Sequence, residues 1–423
     1  MTARISHDRR RNWPARPLRR GLLTAGAALG AWAIALSGTT PAAAADDVRS
    51  KQWYLDLLHA EEIWKKTKGE GIKVAVIDSG VNPGTPSLKG QVLKGVDATV
   101  EKGGSTKDTN GQGTTTAELI AGTGKGGGLQ GLAPGAKIIP IRVPLLKHDE
   151  LPPGKWIERD PLYTAIHAAV DMDADIITIN VRNHNAIGND LYNKSAAEYA
   201  ASKGKLLIAG TGDNAKDGNK PLYPAAALEV TGVTSVDRKG NVADFSQYGE
   251  DVDLAAPGVD VPRWCNADFE RYCDGGGASA AAALASASAA LIWSAHPDWT
   301  ANQVLRVLLG TTVRSEEKKS GVSKYLGYGI VRPGANILDE KGDPGSPKKH
   351  PLLSSNPLES GDSSAGSPDS KDRADKTGSS DSPSHAEAEP QEGSQFGLIA
   401  GIAAAVAVLA AGALALARKR RSA

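Results

Sequence analysis

Lys73–Asp78 reads KVAVID, four apolar residues in a row between a lysine and an aspartate. A strand apolar at every interior position has both faces buried, as in a parallel sheet covered by helices on both sides. Three further runs are of the same kind: AKIIPIRV (Ala136–Val143), ADIITINV (Ala174–Val181) and KLLIAG (Lys205–Gly210). Between them, TTTAELIAG (Thr114–Gly122), PLYTAIHAAVDM (Pro161–Met172) and KSAAEYAASKG (Lys194–Gly204) carry helical patterns. Strands alternating with helices imply right-handed crossovers and an α/β fold with a doubly wound parallel sheet. Ligands of such sheets bind at the carboxyl ends of the strands. Asp78 stands at that end, before Ser79 and Gly80. It is either a working carboxylate or a cap for the following turn.

Outside this region the chain changes character. Residues 1–45 read as an export signal, with arginines at 9–11, 16, 19 and 20, an apolar run Gly21–Leu36, and a small-residue cleavage site at Ala43–Ala45. Residues 341–395 are rich in Ser, Asp, Pro, Gly and Glu, a composition that cannot bury enough surface to offset its ordering entropy, so they read as a disordered linker. Residues 396–417 are unbroken apolar sequence, long enough for a transmembrane helix across roughly 30 Å of hydrocarbon. Arg418, Lys419, Arg420 and Arg421 follow, which puts the tail 418–423 in the cytoplasm and the rest outside. The expected localisation is therefore the cell membrane, single-pass, with an extracytoplasmic domain at 46–340.

The net charge of +1 suggests no nucleic-acid partner. Cys265 and Cys273 are the only cysteines. In an exported chain they read as a local disulfide, against the alternative of two free thiols. No histidine stands near them to suggest zinc, and neither a metal site nor a cofactor is expected. Further on, Asp274–Leu309 begins with three glycines, and Ser279 then opens a long Ala-rich helix. Ser279 reads first as the helix N-cap and second as a nucleophile beside backbone N–H groups.

Taken in order, these pieces resemble the subtilisin-like serine proteases. VAVIDSGV resembles the aspartate motif and implies a catalytic role for Asp78, while GGASAAAA resembles the serine motif and implies one for Ser279. NGQGTTTAELIAG resembles the histidine motif with Gln112 in the histidine's place. GLAPGAKIIPIRV, YPAAALEVTGVTSVD, ADFSQYGEDVDLAAPG and HPDWTANQVLRVLLGTT look like framework segments, so the resemblance spans about Lys51 to Leu338. Signal, domain, polar tether and single span resemble the mycosins, membrane-anchored subtilases associated with type VII secretion. That resemblance implies secretion-machinery membrane proteins, or a peptide or protein substrate, as partners.

Four departures sit at the chemistry and none in the framework. Gln112 can hydrogen-bond but has no proton-transfer pKa near neutrality, so it cannot act as a general base. The family's oxyanion asparagine aligns with Asp213 in IAGTGDN, and a one-residue slip would restore Asn214. An ionised Asp213 cannot donate to an oxyanion, and losing such a donor costs roughly 10²–10³-fold. The substrate strand's Ser-Leu-Gly becomes Asn180-Val181-Arg182, and the serine motif's Thr and Pro become Ala278 and Ala283 or a neighbour. The expectation is a pseudoprotease that binds; the alternative is an active serine endopeptidase with a non-standard base, for which His184 is the candidate imidazole.

Overall fold

The computed structural model describes residues 45–99, 102–144, 161–181, 190–313 and 321–353, with no side-chain description for 45–47 and 190–193. The expected export signal, apart from Ala45, and the expected transmembrane helix lie outside the described residues. So do His148, Arg182 and His184.

An N-terminal arm of three short helices, α1 (Ala45–Ser50), α2 (Trp53–Leu57) and α3 (Ala60–Ile63), precedes the sheet. Gln52 clips it down: its buried amide donates to the Gln130 carbonyl (2.8 Å) and accepts from the Gln130 N–H (3.0 Å). The main strands are β1 (Lys73–Asp78), β2 (Val96–Asp97), β3 (Lys137–Arg142), β4 (Ile176–Ile179), β5 (Leu206–Gly210), β6 (Val230–Val236) and β7 (Leu254–Pro257). They form one parallel sheet in the order β2-β3-β1-β4-β5-β6-β7. The α/β doubly wound parallel sheet expected from the apolar runs is the fold observed.

Successive residues of β1 point to opposite faces, as the pleat requires. Val74 and Val76 join the core beneath α4 (Gln112–Ala121), while Ala75 and Ile77 join the core beneath α5 (Pro161–Asp171) and α6 (Asp190–Ser202). A short antiparallel hairpin, β8 (Arg263–Trp264) with β9 (Tyr272–Cys273), is closed by the Cys265–Cys273 disulfide. The hairpin leads into α7 (Ala278–Ala295), followed by α8 (Ala301–Gly310) and α9 (Pro333–Ile337). Among the described residues α7 is the one helix long and apolar enough to cross a membrane, yet it is buried on nearly every side against α4 and the sheet. Its run of Ala and Ser lets it lie close to β4–β7 without displacing neighbours.

Two expectations need correction. The folded body does not stop at Glu340. The carbonyls of Gly345, Pro347 and Lys349 accept from Gln303, Thr300, Asn302 and Arg306 on and around α8, and Leu352 packs on the core. The polar composition after Lys341 concealed this, because the attachment runs through backbone acceptors and not through apolar side chains. Nor does Ser279 cap α7. Gly277 is the N-cap, at φ +115°, and Ser279 is the second residue of the helix.

A soluble fragment ending at Glu340 is therefore expected to unfold more easily than one ending at Leu353, by roughly 1–3 kcal/mol for the loss of acceptors to the buried Arg306. Urea unfolding of the two fragments checks this, and equal midpoints would contradict it.

Candidate functional site

Three chain segments meet at the carboxyl edge of the sheet: the end of β1, the N-terminus of α4 and the N-terminus of α7. The approach of the first two is set by Gly113. A Cβ there would stand 2.1 Å from the Gly80 carbonyl oxygen and 3.1 Å from Asp78 Cβ. Any side chain would push α4 away from β1.

Asp78 is fully buried, and its carboxylate is satisfied by the fold itself. Oδ1 accepts from the Ser79 N–H at 2.7 Å, and Oδ2 accepts from Thr116 Oγ1 at 3.0 Å. Burial pushes its pKa up to about 7; the Ser79 N–H opposes this, the nearby Asp108 charge adds to it, and Thr116 and Asn180 pull it back in part. Asp108 holds the start of α4: Oδ1 accepts from Ser79 Oγ (2.8 Å), the Asn110 N–H (3.1 Å) and the Gly111 N–H (2.9 Å), and Oδ2 from the Thr114 N–H (2.9 Å) and Oγ1 (2.6 Å).

Gln112 is the first residue of α4. Its Nε2 donates to the Asn180 carbonyl at 3.1 Å, not to Asp78. Thr116, one turn further along the same helix face, is the α4 side chain that bonds the aspartate. Asn180, one residue past β4, completes the arrangement by donating from Nδ2 to Thr116 Oγ1 at 2.8 Å and to the Ser279 carbonyl at 3.4 Å.

Asp213 stands at the N-terminus of α7. Its Oδ1 accepts from the Ala278 N–H at 2.8 Å, and Oδ2 lies 2.9 Å from where a Cβ on Gly277 would be. Glycine is required there by both the φ and the carboxylate. A negative charge at a helix N-terminus is favourable, and the Asp213 carboxyl group sits at that of α7. Asp213 lines the cleft, and its neighbour Asn214 is not among the lining residues. Ser279 is half-buried, and its hydroxyl makes no hydrogen bond among the described residues.

The cleft is a cavity of about 460 Å³, with Gln112, Thr116, Asp213 and Ser279 on its inner side and Arg263 and Trp264 on its wall. That wall is the disulfide-closed hairpin, held on α4 through the Trp264 N–H to Thr115 Oγ1 (3.0 Å) and Tyr272 Oη to the buried Glu118 (2.7 Å). Burial pushes Glu118 up to about 7 against its bonds from Ser87 and Tyr272. No histidine lines the cavity among the described residues. His167 stacks between Tyr163 and Tyr199, and His296 stacks on Trp299 and bonds Asn336. Among the described residues the site has hydroxyl, amide and carboxylate groups, and no histidine bonds Ser279.

Thr116, Asp108 and the hairpin carried no assignment in the sequence. Thr116 had a usable signal, four residues after Gln112 on one helical face. Asp108 was visible as an acidic residue ahead of a helix start.

Because the fold prefers Asp78 protonated, its contribution to stability is full below about pH 4 and is lost as the pH rises through 7. Glu118 and Asp253, both pushed up to about 7 by burial, act in the same direction. The melting temperature is expected to fall between about pH 4 and pH 7, and Asp78→Asn should flatten that fall. Calorimetry across the range checks it; an unchanged slope in the variant would count against the assignment.

The subtilase family model matches residues 69–329. The minor extracellular protease Epr of Bacillus subtilis is 30% identical over 294 residues, covering 68% of this chain and 42% of its own length. Thermitase of Thermoactinomyces vulgaris is 32% identical over 210 residues, 49% of this chain and 71% of its own. Among solved structures, the MycP3 protease from the type VII (ESX-3) secretion system superposes with a TM-score of 0.55 at 28% identity, covering 67% of this chain and 87% of that one. MycP1 from Mycobacterium smegmatis has a TM-score of 0.59 over 70% of this chain and 86% of its own, and at 23% identity shows likeness of fold alone.

Proposed function

The chain belongs to the subtilase family, and from that premise we propose that it is a membrane-anchored, mycosin-like member whose extracytoplasmic domain serves a type VII secretion system by binding, not by cleaving. The observation that carries this reading is the placement of Gln112 and Asp213. The residue at the base position is an amide bonded to a backbone carbonyl, and the residue at the oxyanion position is a carboxylate bonded to the α7 N-terminus. Serine proteolysis needs a proton acceptor beside the serine and donors beside the acyl oxygen. Each requirement meets a group of the wrong kind. In subtilisin itself, loss of the histidine alone lowers turnover by about 10⁶-fold.

The partners would be membrane proteins of the secretion machinery or a polypeptide lying in the cleft. The reading takes its membrane attachment from the apolar stretch 396–417 and its secretion role from the MycP3 likeness. A restricted serine endopeptidase is the second reading, favoured by Asp78 and by Ser279 facing the cavity with an unbonded hydroxyl.

The test pairs a chemical and a cellular readout. The purified chain is expected to react with a fluorophosphonate no faster than its Ser279→Ala variant. In a strain lacking this chain, type VII secretion is expected to fail and to be restored by Ser279→Ala as fully as by the wild type. Labelling at Ser279, or a folded Ser279→Ala that does not restore secretion, would sink the binding reading in favour of the protease.

A further inference from the structure

We propose that Glu118 is a proton-controlled latch for the cleft wall: ionised, it takes the Trp264 indole N–H as a donor and holds the hairpin down on α4, and protonated, it leaves that indole unbonded. The proposal goes beyond the reading above, because it concerns the shape of the cleft whether the cleft binds a chain or cleaves one.

Glu118 is fully buried on α4. Ser87 Oγ donates to its Oε1 at 2.6 Å, and Tyr272 Oη donates to its Oε2 at 2.7 Å. Two further donors stand beside it, the Thr85 hydroxyl and the Trp264 indole, near enough to favour its charged form. Both are buried, and neither makes a hydrogen bond among the described residues. An ionised carboxylate has about four lone-pair positions. This set of donors, two engaged and two waiting, is the complement of that form. A protonated carboxyl gives up one acceptor position and brings an O–H of its own. The hydroxyls of Ser87, Thr85 and Tyr272 can turn and accept from it, but an indole N–H can only donate. Trp264 is therefore the neighbour whose bonding a proton on Glu118 decides. It lines the cleft, stacks on Tyr272 with ring centroids 3.9 Å apart, and belongs to the disulfide-closed hairpin, so its indole carries the state of Glu118 to the wall.

The titratable groups that face Glu118 are Tyr272 of β9 and Tyr54 of α2, and burial pushes both phenols up, so both stay protonated. The short turn Pro86–Leu88 brings the Ser87 hydroxyl, and α7 carries no titratable side chain. The charged groups of β1 and β3, beneath α4, are bonded elsewhere. Lys73 bonds Asp173, Asp78 bonds Ser79 and Thr116, Lys137 bonds the Gly90 carbonyl and Gln91, and Arg142 bonds Asp97. On β8, Arg263 donates to the Trp264 carbonyl. Glu118 is thus stabilised in its charged form by neutral donors alone, against burial, which pushes its pKa up to about 7. The indole is expected to be unbonded below that pH and bonded above it.

The experiment follows the indole N–H of Trp264 by NMR on the full chain in detergent, isotope-labelled at tryptophan nitrogen and assigned by the loss of its peak in Trp264→Phe. The pH is varied from about 5 to about 9, a range that brackets a carboxyl group raised by burial. In the wild type the indole proton is expected to shift downfield in one step with a midpoint at about pH 7. In Glu118→Gln, which keeps the shape and removes the charge, the step should be lost. Tyr272→Phe takes one donor from the charged form and should raise the midpoint. It is the deciding variant if Glu118→Gln does not fold. A wild-type peak that does not move, a step that survives Glu118→Gln, or a midpoint unchanged in Tyr272→Phe would overturn the proposal. A purely structural Glu118 would lower the melting temperature when replaced and leave the wild-type indole without a step. Neither a ligand nor the reactivity of Ser279 enters the readout, so its failure is separate from failure of the binding reading.

Discussion

A parallel sheet covered on both faces leaves its carboxyl edge as the boundary where polar side chains can gather, and here that edge is drawn tight by the missing side chain of Gly113. With the Gly80 carbonyl so close to its Cα, α4 lies near enough to β1 for Thr116 to reach Asp78. On the same face α7, made almost wholly of Ala and Ser in its first three turns, brings Ser279 to the same edge. The site is a product of close packing between elements that have little side chain to keep them apart.

Close packing also explains the charges. Two helix N-termini point into the site, and each is met by a carboxylate of the fold: Asp108 at α4 and Asp213 at α7. The partial positive charge that a subtilase scaffold can offer to a reacting oxygen is thereby used internally. Asp78, the third carboxylate, is held by Ser79 and Thr116 and is driven toward its neutral form by burial. The three carboxylates are thus bonded within the fold, while the Ser279 hydroxyl and Asn180 Oδ1 make no hydrogen bond among the described residues.

The cleft wall adds a separate constraint. The hairpin closed by Cys265–Cys273 is tied to α4 at Thr115 and Glu118, three residues apart on one helix face. The wall of the cavity is therefore bonded to the helix that supplies part of its inner side. A ligand would meet a preformed surface, whose polar groups come from α4, α7 and the loop after β5.

The apolar runs KVAVID, AKIIPIRV, ADIITINV and KLLIAG were sufficient for the sheet, because burial on both faces leaves an unbroken pattern that no exposed strand has. The place of Gln112 in a glycine-flanked motif, and of Asp78 and Ser279 in theirs, was likewise legible, since chain order and local spacing carry those motifs. Three things were settled only by tertiary contact. Asp213, and not its neighbour Asn214, faces the cleft, because a one-residue shift in a loop reverses which side chain points inward. Ser279 lies inside α7 behind a glycine cap, because the Asp213 carboxylate, distant in sequence, supplies the acceptor that a local N-cap would have given. Asn180 joins Gln112, Thr116 and Ser279 across three elements, a relation with no periodicity to reveal it. Patterns along the chain report which faces are buried; which polar atoms meet depends on distances between segments that only packing defines.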